Sequence, residues 1–392
     1  MISKGDEQPA ALLRWLQGRE DEIVSWIARA VAIESPSFNK PAVDKMAEFL
    51  ADSFEQAGGK AKLHKQGKLG NHLQVEFAGA PRDGRKPVLL LGHHDTVWEM
   101  GSLKSMPCRV RNGKISGPGS LDMKTGLAQM LFAVCALRAV LGEIPRPVTV
   151  LSVTDEEIGS DSSRALTEAL AKKSAAVFVL EPAQAPNGAL KTARKGVGEF
   201  VVKVTGRASH AGVDFSTGAS AITELARQIE RIAAFTDLKR GLTVNPGVIR
   251  GGTRTNVVAA HAEVAVDVRI PRNADGKLLE KKFRSLKPFD KRCQLEVSGG
   301  INRPPMERSR AGAALFAQAR KLAEHLGGKN RWRLAESATG GGSDGNFTAA
   351  LGIPTLDGMG AVGEGAHAAH EAAFIAEIPR RTALLAALIA TV

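Results

Sequence analysis

Residues 87–100 read PVLLLGHHDTVWEM. A proline opens an unbroken Val-Leu-Leu-Leu run that stops at a glycine, two histidines and an aspartate. Side chains of a strand alternate between its two faces, so a strand that is apolar at every position is buried on both, as in a parallel sheet covered by helices. The same alternation puts His93 and Asp95 on one face and His94 on the other, beside Thr96. Two more runs have this form, PVTVLSVTDEE at 147–157 and AAVFVLEP at 175–182. Between them, apolar spacing at Leu127, Met130, Leu131, Val134 and Leu137 marks a helix. Strands alternating with helices predict an α/β fold with a mainly parallel mixed sheet. Each run ends in residues able to do chemistry: His93 and Asp95, Glu156 and Glu157, and Glu181. Sites in open α/β sheets gather beyond the carboxyl ends of strands, so the three endings point to one crevice.

From about residue 195 the rhythm changes. Strand GEFVVKVTG is followed by a helix over Ile222, Leu225, Ile229 and Ile232, then by strands LTVNPGVIRGG and AEVAVDVRI, a helix near 275–286 and strand CQLEVSG. That β-α-β-β-α-β order is ferredoxin-like and closes into a small domain of its own. Past NRPPM, at 302–306, helices and short strands return. The expected organisation is a catalytic domain in two parts, 1–194 and 306–392, interrupted by an inserted domain at 195–305.

A chain of 392 residues suits two domains of ordinary size. With 43% hydrophobic and 24% charged residues the composition is that of a folded protein, not a disordered or fibrous one. No unbroken apolar run reaches the roughly 18 residues of a membrane span, and the N-terminus lacks the pattern of a secretory leader, so no membrane partner and a cytoplasmic location are expected. Cys108, Cys135 and Cys293 show no C-x-x-C spacing, which argues against a disulfide framework and a thiolate zinc site. The net charge of +12 raises nucleic acid as a partner. Yet the basic residues are scattered, tyrosine is absent and no basic run alternates with stacking aromatics, so nucleic acid is not expected and anionic small substrates fit the charge equally well.

Several short stretches have both a structural and a chemical reading. His93 suits a metal because Asp95 can fix its tautomer from the other ring nitrogen, but an H-H-D at a strand end can also be a set of hydrogen-bonded polar residues. GPGSLDMKTG, at 117–126, brings Asp122 to a helix start, where it can cap the helix or bridge two cations. TDEE at 154–157 makes the T-x-x-E of a capping box, and taken alone that reading is the stronger one. Glu181, closing an apolar strand, needs a partner for its charge. GGGSDGN lacks the G-K-[ST] ending of a phosphate loop. His367 and His370, in GAHAAHE, can be ordinary surface histidines. Together these stretches supply two histidines, three carboxylates and a spare glutamate, which is what a two-zinc hydrolase requires.

The ordered series G-H-x-D-T-V, G-P-G-x-x-D-x-K, T-D-E-E-x-G-S, E-P, G-x-A-S-H-A-G, G-G-x-D and G-x-H spans residues 90–371. It resembles the co-catalytic metallopeptidases that include glutamate carboxypeptidases, aminoacylases, acetylornithine deacetylases and succinyl-diaminopimelate desuccinylases, with the bacterial glutamate carboxypeptidases nearest in motif detail. The resemblance implies a zinc-peptidase-like catalytic domain and an inserted domain acting as lid and dimer contact. It implies two Zn2+ per chain, with Co2+ or Mn2+ as substitutes, one held by His93, Asp122 and Glu181 and the other by Asp122, Glu157 and His367, so that Asp122 bridges. It makes Glu156 the general base for the water held between the metals and Asp95 a catalytic partner of His93. It makes His210 an oxyanion donor that reaches a neighbouring subunit's site, and hence implies a homodimer. Asn256 and Arg269 match positions that hold the substrate's carboxylate and carbonyl. Arg269 is the foremost candidate to anchor a carboxylate, with Arg303, near the return to the catalytic domain, beside it because a guanidinium fork matches a carboxylate, and Gly341 is a further substrate-contact candidate. HAAHE departs from the more usual H-S-x-x-E, and the choice of His367 over His370 rests on its place after the glycine and before Glu371. The expected activity is zinc-dependent hydrolysis of amide bonds in N-acyl amino acids or short peptides with a free carboxylate. The alternatives are a deacylase of a biosynthetic N-acyl amino acid and a binding protein that kept the fold and lost catalysis.

Overall fold

In a computed structural model, residues 4–80, 84–328 and 332–392 are described. The chain divides into two compact units, one of Met1–Ala193 with Arg308–Thr339 and Ser343–Val392, the other of Arg194–Glu307 with Gly340–Gly342.

The first unit is built on a six-stranded sheet in the order Lys60–His64, His72–Phe77, Val148–Val153, Val88–His93, Ala176–Val179, Thr355–Leu356. The first two pairings are antiparallel and the remaining three parallel, which makes the sheet mixed and mainly parallel. Val88–His93 lies between two parallel neighbours and is buried at every position, as its unbroken apolar run requires. Successive leucines serve opposite faces: Leu90 joins the large core formed with Thr125–Leu141 and Ile378–Thr391, while Leu89 and Leu91 pack with Ala171, on the helix Arg164–Lys173. The stretch Ser120–Leu141 is long and apolar enough by composition to cross a bilayer, but its most apolar window is 72% buried within this unit, where Thr125–Leu141 is a core helix. The parallel strands end side by side at His93, Val153 and Val179, so the residues that follow each of them emerge along one edge of the sheet.

The second unit is a four-stranded antiparallel sheet ordered Thr243–Gly251, His261–Ile270, Gly196–Thr205, Gln294–Arg303. Helices Ala221–Ala233 and Asn273–Arg284 pack on it through a core that includes Leu225, Ile232, Leu279 and Phe283. In chain order the elements run β-α-β-β-α-β, and the sheet order is that of the ferredoxin-like fold.

Candidate metal centre

His93 is the last residue of its strand and is buried. Its Nδ1 lies 3.0 Å from the main-chain oxygen of Asp95. A carbonyl only accepts, so Nδ1 carries the proton and neutral His93 presents a lone pair at Nε2. That nitrogen faces two acids, Asp122 Oδ1 at 3.1 Å and Glu181 Oε1 at 3.6 Å. The expected tautomer-fixing role of the Asp95 side chain thus falls mainly to its backbone oxygen, because the carboxylate is shared: Oδ1 is 3.4 Å from His93 Nδ1, whereas Oδ2 accepts from Ser37 Oγ at 2.7 Å and from the Glu157 N–H at 3.3 Å.

His94 faces away, with Nδ1 3.0 Å from Ser152 Oγ. Burial drives its pKa down to about 3, so it is neutral. Burial also works against a charged His93, but hydrogen bonds to Asp122 and Asp95 and the nearby Glu181 outweigh it and hold its pKa well above the ordinary value. The two adjacent histidines therefore answer opposite fields.

Asp122 sits in the turn before the helix Thr125–Leu141, with non-helical dihedrals and no capping role. Its second oxygen, Oδ2, is 3.4 Å from His367 Nε2, which is also 3.3 Å from Glu157 Oε2. His367 holds a positive φ of 61° and is half-exposed. Hydrogen bonds to Asp122 and Glu157 raise its pKa to about 10. Burial opposes ionisation of Asp122, but the two imidazoles, His367 and His93, win and keep its carboxyl below the usual range.

Two groups of ligand atoms result, each within 4.8 Å: His93, Asp122 and Glu181, and Asp122, Glu157 and His367. Asp122 belongs to both. The residues fit a pair of divalent cations on three counts. Imidazole lone pairs and carboxylate oxygens converge where only a proton or a cation relieves the crowding of acceptors. Glu157 Oε1 is buried without a hydrogen-bond partner among the described residues. Each group offers three nitrogen or oxygen ligands and no thiolate, the donor set of a catalytic zinc site with coordination positions left open.

The capping-box reading of Thr154 and Glu157 is not what the structure shows. Thr154 Oγ1 has no hydrogen-bond partner among the described residues, the short 3-10 helix Glu156–Ile158 has no side-chain cap, and the Glu157 N–H goes to Asp95. Asp155 anchors the segment instead, its Oδ2 accepting from Ser162 N at 2.8 Å, Ser162 Oγ at 2.7 Å and Ser163 N at 3.3 Å. Glu156, half-buried, is thereby set between two fixed neighbours. His370 is exposed and joins neither group. Sequence reasoning missed Ser37 and Asp155, and used Glu371 only as a landmark. Glu371 is fully buried, and the single signal for it was an acid at fixed distance after His367.

The remaining expected residues lie in the second unit. His210 is exposed, and its Nδ1 accepts from the N–H groups of Gly212 and Val213, both at 3.1 Å. That places its proton on Nε2, as a donor. The Ala211 N–H reaches the Asn256 carbonyl at 3.0 Å, so His210 and Asn256 belong to adjoining segments. Arg269 does not present an uncommitted fork: its Nε and Nη2 each bond Asp267 at 2.9 Å, because the two side chains stand on the same face of one strand. Arg303 is buried beside Gly342, and the carbonyls of Gly341 and Gly342 both accept from Arg194 Nη1 at 3.1 Å.

The sequence profile of the peptidase family M20/M25/M40 matches residues 89–391. Carboxypeptidase G2 of a Pseudomonas species is 30% identical over 391 residues, covering 98% of this chain and 89% of that protein. The acetylornithine deacetylase of Myxococcus xanthus is 28% identical over 262 residues, 62% of this chain and 65% of that one. Among solved structures, the aminopeptidase PepT of Bacillus cereus superposes with a TM-score of 0.78 at 23% identity, covering 95% of this chain and 98% of that one. A dinuclear metal-binding peptidase of the M20 family from Bacillus subtilis gives 0.66 at 14%, covering 95% and 98%. Both structural likenesses concern the fold.

Proposed function

The chain belongs to peptidase family M20/M25/M40 and is a hydrolase, and from that premise we propose that it is a two-zinc amidohydrolase of N-acyl amino acids or short peptides bearing a free carboxylate. The observation that carries this reading is Asp122, whose two oxygens face two different imidazoles, each backed by a further acid. His93, Asp122 and Glu181 would hold one cation and Asp122, Glu157 and His367 the other. Imidazole and carboxylate without thiolate suit Zn2+, with Co2+ or Mn2+ as substitutes. A bound pair of cations would polarise the scissile carbonyl and lower the pKa of water.

The chain's own residues supply the rest. Asp95 holds His93 in one tautomer and the Glu157 N–H in place. Glu156, between the anchored Asp155 and the ligand Glu157, accepts the proton of the attacking water and passes it to the departing amine. His210, with its proton on Nε2, donates to the developing oxyanion, in a partner subunit's site of a homodimer formed through the inserted unit. Asn256 and the Gly341 backbone contact the substrate. For the carboxylate anchor the candidates are Arg269, whose Nε and Nη2 already bond Asp267, and the buried Arg303.

The test is kcat/KM for matched free-acid and amidated N-acyl amino acids, glutamate among them, in the parent and in Arg303→Ala and Arg269→Ala. The amides should be poorer by about two orders of magnitude, because they lose the carboxylate–guanidinium pair. That preference should vanish in whichever of the two variants removes the anchor and survive in the other. Equal rates on acid and amide in the parent would refute the anchor. Similarity to an acetylornithine deacetylase supports a second reading, a deacylase of a biosynthetic N-acyl amino acid, and the same panel extended to N-acetyl and N-succinyl substrates separates the two.

A further inference from the structure

Glu371 comes four residues after His367 and is fully buried. Its carboxylate accepts four hydrogen bonds. Oε2 takes Trp98 Nε1 at 2.8 Å and the Gly119 N–H at 3.0 Å; Oε1 takes the Leu121 N–H at 2.8 Å and the Asp122 N–H at 3.0 Å. The Glu371 main-chain oxygen meets the same turn again, at Gly117 N and Ser120 Oγ, both 3.4 Å away. Three of the four donors are backbone N–H groups of the irregular turn that carries Asp122, where Gly117 and Gly119 hold positive φ and Asp122 is non-helical. The N–H groups of Gly119, Leu121 and Asp122 find their acceptor outside the turn, in the Glu371 carboxylate.

We infer that Glu371 is a positioning residue, tying the turn of Asp122 to the loop of His367 so that two ligands of one cation site stay in register. This rests on the two-cation reading above. Glu371 is suited to the task because an ionised carboxylate offers only acceptors and meets only donors here. It acts through Asp122, whose backbone it holds. A glutamine at 371 has one acceptor oxygen, and its NH2 group would face two N–H donors, whichever way the amide is turned. The fold survives the loss of a hydrogen bond or two more easily than ligand geometry does, since metal affinity depends on placement to a fraction of an ångström.

The test is a calorimetric Zn2+ titration of chelator-stripped protein, repeated with Co2+ to record the visible absorption of each bound ion, in the parent, Glu371→Gln and Trp98→Phe. Trp98→Phe keeps most of the volume and removes one of the four donors. The parent should bind two cations. Glu371→Gln, with an unchanged far-ultraviolet circular dichroism spectrum, should weaken both cations, since they share Asp122, and the second more, by about 10–100-fold, because both its Asp122 and His367 ligands lose their register, with an altered Co2+ spectrum. Trp98→Phe should shift the second affinity the same way by several-fold. A merely structural role would lower the melting temperature and leave the ratio of the two affinities unchanged, and that result overturns the inference. If Glu371→Gln does not fold, Trp98→Phe decides alone, and parental affinities for both cations in it overturn the inference. A parent that takes up fewer than two cations would instead overturn the two-cation reading, an outcome visible before any variant is compared.

Discussion

His93 and His94 are neighbours in the chain and differ in what their nitrogens face. His93→Ala should lose a cation and the activity with it, whereas His94→Ala, which removes a neutral buried ring bonded to Ser152, should keep both cations and lose only stability. Metal content of the two purified variants checks this, and cation loss in His94→Ala with retention in His93→Ala would reverse the assignment. Glu156→Gln should keep the metals and slow turnover by about 10²–10⁴-fold, since it removes a proton acceptor and no ligand; a near-parental rate would disqualify Glu156 as the base. At this scale the sequence showed residue types and spacing, and strand alternation sufficed to put His93 and His94 on opposite sides. It could not show what the backbone would do. The T-x-x-E pattern suggested a capping box because Thr154 and Glu157 have the right spacing, yet the Glu157 N–H was claimed by Asp95, 62 residues away in the chain. Arg269 looked available because the engagement of its fork by Asp267 depends on side-chain rotamers, which no motif encodes.

Strand ends and helix starts carry the candidate ligands, and close backbone packing sets their spacing. At Gly126, in the first turn of Thr125–Leu141, a Cβ would collide with the carbonyl oxygen of Leu180, the residue before Glu181; at Gly360 it would collide with the same oxygen. Gly126→Ala should therefore push the Asp122 turn and the Glu181 strand end apart, costing about 1–3 kcal/mol by overpacking. Denaturant unfolding measures that, and an unchanged midpoint would show that the contact yields freely. The elements themselves were legible because their patterns are continuous: unbroken apolar runs for Val88–His93 and Val148–Val153, strict alternation for His261–Ile270, whose burial switches residue by residue. The irregular turn at Ser120–Lys124 was not, since its N–H groups bond to Glu371, about 250 residues later in the chain. For the same reason nothing local showed that Gly340–Gly342 would associate with the second unit, which it joins through Arg194, Val197 and Arg303.

At the scale of the whole molecule, a charge of +12 favours the approach of anionic substrates, and their capture should weaken as salt rises. The proposed homodimer is tested by mixing His210→Ala chains with Glu156→Gln chains: each is impaired alone, and exchanged dimers should recover part of the activity because one hybrid site has both residues intact. Mixed dimers that stay inactive despite subunit exchange would confine His210 to its own chain. The claim on which all of this depends is that two cations, sharing Asp122, run the hydrolysis. The direct measurement is to strip the protein with a chelator and titrate Zn2+ back while following cleavage of an N-acyl amino acid. Activity should be absent without metal and rise to its plateau at about two equivalents per chain. Full activity in the thoroughly stripped protein, or a plateau reached at one equivalent with no further uptake, would contradict the account.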